Sequence, residues 1–379
     1  MPVGGVVSFI LAYLSVAAVY SLLSISMNIE YGWAGIPNFG KAAFIAAGGA
    51  AAAIVAAQLG PPLLLGVKGV VPGGLGFFAK YNALLNAYAA HPAATWGVLV
   101  LSCIIGGVIA MILGVLFTFP AVRLREDYLA IALLMAAQLV WIVLRVDKQI
   151  MGGTFSMVLP SPDFTPVANL LHVPDTVVKV LFLWGLVAVF LYYSEKLMNS
   201  PFGRKLRAVR DDEIAAEALG KNVPVSRLQA MMIGSFLAGV AGAIYVLVHL
   251  ASVNPDYFLP DITFMILAMV LVGGVGNNWG AIAGAMLLAL MDRVGYIIGS
   301  RLATEYGMLW GGYLYYIVYG LAIIIAIAFR PQGLVPEKPV KTPAWRVYIE
   351  ETGETPRFLK PIWARLRSLR ARRKSKKEG

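Results

Sequence analysis

Thr95-Trp-Gly-Val-Leu-Val-Leu-Ser-Cys-Ile-Ile-Gly-Gly-Val-Ile-Ala-Met-Ile-Leu-Gly-Val-Leu-Phe-Thr-Phe119 is a run of 25 residues with no Asp, Glu, Lys or Arg. About 20 such residues in a helix cross the roughly 30 Å hydrocarbon core of a bilayer. Inside lipid the backbone has to satisfy its own polar groups, and no period-two alternation here suggests a barrel, so the run reads as a transmembrane helix.

Similar runs lie on both sides of it. The sequence predicts nine spans in all: Val6–Met27, Gly35–Leu59, Thr95–Phe119, Leu129–Val146, Thr176–Ser194, Leu228–Leu250, Ile262–Val275, Trp279–Ile298 and Leu309–Phe329. Of 379 residues, 59% are hydrophobic and 13% charged. An ordinary soluble domain carries about 25% charged residues, so one buried core cannot absorb this composition. The expected fold is an all-α, polytopic integral membrane protein with a cytoplasmic coupling helix and a basic C-terminal tail. The permease domain is expected over 1–334, with its coupling loop at 199–227, and the tail over 335–379. Met1–Gly5 carries no basic side chain and the following run is long enough to span, so the first helix is expected to stay rather than be cleaved. Cys103, the single cysteine, cannot form an internal disulfide and is expected to be a small buried residue.

The basic residues set an orientation. Lys196, Arg204, Lys205, Arg207, Arg210, Lys221 and Arg227 fill the connection Glu195–Arg227, and fourteen Lys and Arg stand against five Glu after Phe329. Four spans separate these regions, so both are expected in the cytoplasm, with Arg123 and Arg125. The N-terminus, Gly60–Ala94 and Asp147–Asp175 are then outside. The tail supplies nine of the eleven net positive charges. Following a membrane helix, it reads as a topology signal and a hold on anionic membrane lipid rather than a nucleic-acid site.

Between the fifth and sixth spans lies a polar island, Ser200 to Gly220. Ser200 suits a helix cap and Pro201 the first helical position. Phe202, Leu206 and Val209 share a face, Ile214 to Leu219 is rich in small residues, and Gly220 reads as a left-handed stop. An exposed amphipathic helix with small side chains and flanking charges is suited to docking a partner.

At these residues the chain resembles the ABC transporter permeases of the branched-chain amino acid family, the LivH/LivM group, and is closer to the LivM type. The resemblance rests on Tyr31–Phe44, Pro120–Ile131, Phe202–Gly220 with Gly239–Ala243, and Met269–Gly284 with Phe329–Leu334. It implies a second, LivH-like permease subunit, two ABC ATPase subunits and an extracytoplasmic solute-binding protein. It also implies that ATP-driven motion of docked helices shifts the pore between inward- and outward-facing arrangements. The permeases' EAA loop places Glu-Ala-Ala six residues before a Gly. Here Ala215, Ala216 and Gly220 match, Ile214 replaces the Glu, and carboxylates stand at Glu213 and Glu217. The ATPase-coupling residues are therefore expected among Arg210, Asp211, Glu213, Ala215, Ala216, Glu217 and Gly220.

No catalytic, metal-binding or cofactor-binding set is expected. Gly40-Lys41 and Gly220-Lys221 lack the Ser or Thr that would complete a P-loop, and His91, His172 and His249 are scattered. Inside spans, polar residues are pathway candidates by default. Gly32, Gly35, Pro37, Asn38, Gly40 and Lys41 disturb the start of the second span, and Gly273–Gly280 separates the seventh from the eighth. Gly35, Asn38, Gln138, Gly274 and Asn277 are the expected pathway residues. Ser21, Ser24 and Ser26 more often bond their own helix, and Asp127 reads as a cap for the span from Tyr128. A secondary transporter would need charges within spans, which look nearly absent, and a membrane enzyme would need clustered His, Asp or Glu. Urea and short-amide permeases share the same sequence blocks, so they remain the alternative solute class.

Overall fold

The computed structural model describes residues 3–74, 76–121, 126–306, 314–330 and 332–337. Its helices are α1 Val3–Met27, α2 Lys41–Ile54, α3 Phe77–Ala90, α4 Pro92–Ala121, α5 Glu126–Val146, α6 Lys148–Met151, α7 Thr165–Leu171, α8 Asp175–Met198, α9 Pro201–Asp211, α10 Glu213–Ala218, α11 Val223–Ile244, α12 Asp261–Gly273, α13 Asn278–Tyr306 and α14 Leu314–Phe329. The strands β1 Met157–Val158 and β2 Ser252–Val253 pair antiparallel, Met157 opposite Val253. Arg123, Arg125, the start of the ninth expected span and the tail beyond Glu337 lie outside the described residues.

Among the described residues, seven helices are long and apolar enough to cross a membrane: Gly5–Trp33, Lys41–Leu59, Pro92–Pro120, Asp127–Val146, Asp175–Met198, Val223–Leu250 and Asn278–Leu302. The seventh and ninth expected spans coincide with shorter apolar helices, α12 and α14. Two expectations are corrected. The first span runs beyond Met27 through a π-helical turn, Asn28–Trp33, and the second begins at Lys41 rather than Gly35. Gly35 takes a left-handed φ of 68° and Pro37 follows, so residues 34–40 form an irregular link. The connections between the second and third and the fourth and fifth spans are not plain loops either, since they hold α3, α6, α7 and β1.

α11 packs most closely on α4 and α2. Glycine makes this possible. A Cβ on Gly48 would lie 2.0 Å from the Gly239 carbonyl oxygen, and one on Gly239 would lie 2.4 Å from that of Gly106. Helices in lipid gain little from hydrophobic burial against one another, so close backbone approach at small residues carries their association.

The helix ends gather in two groups. At one, the π-turn after α1, the starts of α2 and α11, the end of α8, the α9–α10 segment and the α12–α13 turn meet through side-chain bonds. At the other, α3 and α7 pack beside the β1–β2 pair. There Tyr81 Oη donates to Val158 O at 2.6 Å, and Trp96 packs edge-on against Phe164 and Phe182. Burial holds the Tyr81 phenol well above the usual tyrosine range.

After α14 the chain returns to the α12–α13 turn. Leu334 N donates to Val272 O and Val335 N to Gly273 O, both at 2.9 Å. This compact unit runs Met1–Glu337, and Lys338–Gly379 lies outside the described residues.

Candidate coupling and pathway site

The polar island folds as two helices, not the single one expected. Ser200 Oγ caps α9 by accepting from Gly203 N, Pro201 starts the helix, and Leu206 and Val209 are buried. α9 ends at Asp212, whose extended backbone (φ −158°, ψ 109°) lets its carboxylate accept from Ala215 N at 3.0 Å and cap α10. Asp competes with helix continuation in this way, which is why the apolar period misses the break.

α10 then stops at Gly220, with φ 76°. Gly220 N donates to Glu217 O at 2.8 Å and Lys221 N to Ala216 O at 3.0 Å, the paired bonds of a Schellman ending. Ala216 is buried against Val209 and Val223. Ala215, Glu217, Leu219 and Gly220 are exposed, and Ile214 is 83% exposed. Glu213 turns the other way and pairs with Arg227 at the start of α11.

α9 is wired directly to the end of the first span. The Arg210 guanidinium donates to the Gly32 carbonyl and pairs with Asp211 at 3.1 Å and Glu337 at 3.0 Å. Its stem packs under Gly35, where a Cβ would sit 3.0 Å from Arg210 Cγ.

Deeper in the same turn, Glu30 and Lys41 form an ion pair of 2.9 Å with both side chains wholly inaccessible. Asn38 Nδ2 donates to Glu30 Oε2 at 2.7 Å, and Asn38 Oδ1 accepts from Gly40 N at 3.0 Å. Lys41 Nζ at 3.3 Å and Ser26 Oγ at 2.7 Å both donate to Gly234 O on α11. A Cβ on Gly234 would lie 2.2 Å from Glu30 Oε1, so only glycine leaves the carboxylate room. Beside this cluster Asn28 Nδ2 donates to Asn278 Oδ1 at 3.0 Å, and Asn278 Nδ2 donates to Glu195 Oε1 at 3.3 Å. Through the π-turn residues Asn28, Glu30 and Gly32, these bonds join the end of α1 to α8, α13, α2, α11 and α9.

A family model described as the permease component of the branched-chain amino acid transport system matches residues 9–327. The chain belongs to that permease family. The Methanocaldococcus jannaschii protein named "Probable branched-chain amino acid transport permease protein LivM" is 32% identical over 339 residues, covering 88% of this chain and 94% of that one. The high-affinity branched-chain amino acid transport system permease proteins LivM of Escherichia coli and Salmonella typhimurium are each 31% identical over 73% of this chain. This chain spans 66% of the length of each of those two. As a family member it is an all-α, multi-pass membrane protein of the permease class of ABC importers, a transport component.

Within this permease the expected residues separate by place. Arg210, Asp211, Glu213, Ala215, Ala216, Glu217 and Gly220 all lie on α9–α10 or its ends. Only Ala215, Glu217 and Gly220 combine exposure with freedom from ion pairs among the described residues, while Asp211 is exposed and paired with Arg210. Gly35 and Asn38 sit in the link beside Glu30. Gly274 (φ 126°) and Asn277 clasp the segment after α14: a Cβ on Gly274 would lie 2.2 Å from Val335 O, and Asn277 Nδ2 donates to Pro336 O at 2.9 Å. Gln138 is half-buried on α5. Asp127 lies within the first turn of α5, which starts one residue earlier.

The reading from sequence missed Glu30 altogether and counted charges within spans as nearly absent. Each of Glu30 and Lys41 stands at a span end, where a lone charge reads as interfacial. A signal was present: two opposite charges flank the same Gly- and Pro-rich break. The serines also divide. Ser21 bonds its own helix at Ala17 O, whereas Ser24 reaches Met269 on α12 and Ser26 reaches α11.

Proposed function

We propose that this chain is the permease subunit of an ABC importer for branched-chain amino acids, pairing with a LivH-like permease, two ATPase subunits and an extracytoplasmic binding protein. The α9–α10 knob is the surface the ATPase grips. It faces the cytoplasm with the tail, 335–379, and the N-terminus is outside. The observation that carries this reading is the bond from Arg210 on α9 to the Gly32 carbonyl. Through it a push on the knob reaches the π-turn after α1, and from there the Glu30–Lys41 pair, α2 and α11.

In this mechanism the knob transmits displacement and touches no solute. Ile214, Leu219, Ala215 and Glu217 supply an apolar patch with one charge, a surface that a cleft on a motor subunit can close over. Closure of the ATPase dimer then biases inward- against outward-facing packings of the helices. Gly35, Asn38, Gly274 and Asn277 shape the inner end of the path as joints, and Gln138 is the side chain offered to the solute.

The test is reconstitution of this chain with the partner permease, the two ATPase subunits and the binding protein in liposomes holding ATP. Leucine uptake that requires ATP, the binding protein and Gly220 supports the reading. Uptake by this chain alone, or uptake of urea in preference to leucine, overturns it in mechanism or in solute respectively.

A further inference from the structure

A groove of about 620 Å³ opens between α4, α8 and α11, within the roughly 300–1,000 Å³ range of small-molecule sites. Met111, Val189, Phe190, Met232, Ile233 and Phe236 line it, and Val189 on its rim is 61% exposed. These residues belong to helices of spanning length, so the walls suit hydrocarbon. At one end the groove meets α9 through Phe202, with Gln229 of α11 beside it.

That end is basic. Lys205 Nζ donates to Gln229 Oε1 at 2.7 Å and sits 5.0 Å from the Phe202 ring centroid. Partial burial, with Lys221 close by, holds the Lys205 ammonium below the usual lysine range. Among the described residues no carboxylate pairs with Lys205 or Lys221. The neighbouring Arg204 and Arg207 turn to the carbonyls of Asn199 and Met198. An apolar trough ending on two like charges lacks an anion at one point only.

The geometry points to a site for one anionic phospholipid, its acyl chain along Phe190, Ile233 and Phe236 and its phosphate at Lys205 and Lys221. Such a molecule satisfies both halves of the groove at once. A helix of another subunit fills the trough but leaves the ammoniums unpaired unless it brings its own carboxylate. Because α9 forms the headgroup end, the lipid wedges the coupling segment against α8 and α11.

The test uses the full-length chain in nanodiscs of phosphatidylcholine doped with photoactivatable phosphatidylglycerol, and a parallel set doped with photoactivatable phosphatidylcholine. Phosphatidylglycerol is expected to label peptides of α8 and α11 around Phe190 and Ile233 more strongly than phosphatidylcholine does. Lys205→Gln should lower phosphatidylglycerol labelling about fivefold, the share of one basic residue near a membrane surface, and leave phosphatidylcholine labelling unchanged. Lys68→Gln, away from the groove, should change neither. Ile233→Trp, which fills the trough, should lower labelling by both lipids, so the proposal stays testable if one variant folds poorly. Equal labelling by the two lipids, or no change in Lys205→Gln, overturns the proposal. So does a photo-crosslinker at Val189 that captures a polypeptide instead of lipid in cell membranes.

Discussion

Lys41 Nζ lies 2.9 Å from Glu30 Oε2, and neither side chain has any access to solvent. Glu30 belongs to the π-turn that ends the first span and Lys41 opens the second, so the pair closes the irregular link between them. π-turns recur at functional sites because the extra residue re-aims side chains. Here the turn points Glu30 inward and leaves the Gly32 carbonyl free to accept from Arg210.

Breaking the pair from one side should be worse than removing it. A buried charge left without its partner costs about 3–5 kcal/mol, while replacing both partners is often close to neutral. Glu30→Gln and Lys41→Met should each lower the unfolding temperature of the purified chain, and the double variant should recover most of the loss. Glu30→Gln keeps an acceptor for Asn38, which limits side effects in the cycle. Scanning fluorimetry in detergent reads the result, and a double variant that loses the sum of the two single losses shows that the two side chains are not coupled.

Arg210→Lys should separate motion from hydrolysis. Arginine's planar fork serves the Gly32 carbonyl and Glu337 together, and a lysine point charge cannot span both. Losing one charge-assisted hydrogen bond is worth about 1.5–3 kcal/mol, or roughly a tenfold shift or more in a two-state balance. Leucine uptake in the reconstituted complex should fall by about that factor while ATP hydrolysis continues. A parallel fall in both would place Arg210 in assembly instead.

The spans were legible because long charge-free runs allow one backbone solution in lipid, and Thr95–Phe119 settles the class alone. The knob's start and stop were legible because Ser200, Pro201 and Gly220 act locally, through a side-chain cap, a fixed φ and a left-handed φ. The break at Asp212 was not, since Leu206, Val209 and Ala216 keep an apolar period across it and only the turn of one carboxylate ends the helix. The Glu30–Lys41 pair was hidden for another reason: burial belongs to the packing of α11 against the link, through Gly234. Gly274 and Asn277 carried a true structural signal, and their partner proved to be the chain's own segment, residues 332–337.

Asn277→Ala should loosen that segment. It removes the bond to Pro336 O and the one from Trp279 N that fixes the side chain. A hydrogen bond of this kind is worth about 0.5–1.5 kcal/mol, up to roughly tenfold in the open population. Glutamyl endopeptidase should therefore cut after Glu337 up to about tenfold faster in the variant. An unchanged rate would mean that the two backbone bonds to Val272 and Gly273 hold the segment without Asn277.

Gly220→Val tests the knob with the least disturbance to the rest of the protein. A Cβ at Gly220 meets no atom within 4 Å, so no clash destabilises the packed helices. What changes is conformation. At φ 76° a residue with a Cβ pays about 1–2 kcal/mol, and a β-branched one is the least suited. The chain can relieve that strain only by giving up the bonds from Gly220 N and Lys221 N that finish α10, which moves Leu219 and Glu217 on the proposed docking face. Insertion and the unfolding temperature should stay near those of the unaltered chain, while ATP hydrolysis proceeds with little uptake. Gly220→Asn, which tolerates the left-handed conformation, should restore most of the uptake. If valine transports as well as glycine, the ending of α10 has no part in coupling. If asparagine fails as badly as valine, the open space beside Gly220 matters rather than its backbone angle.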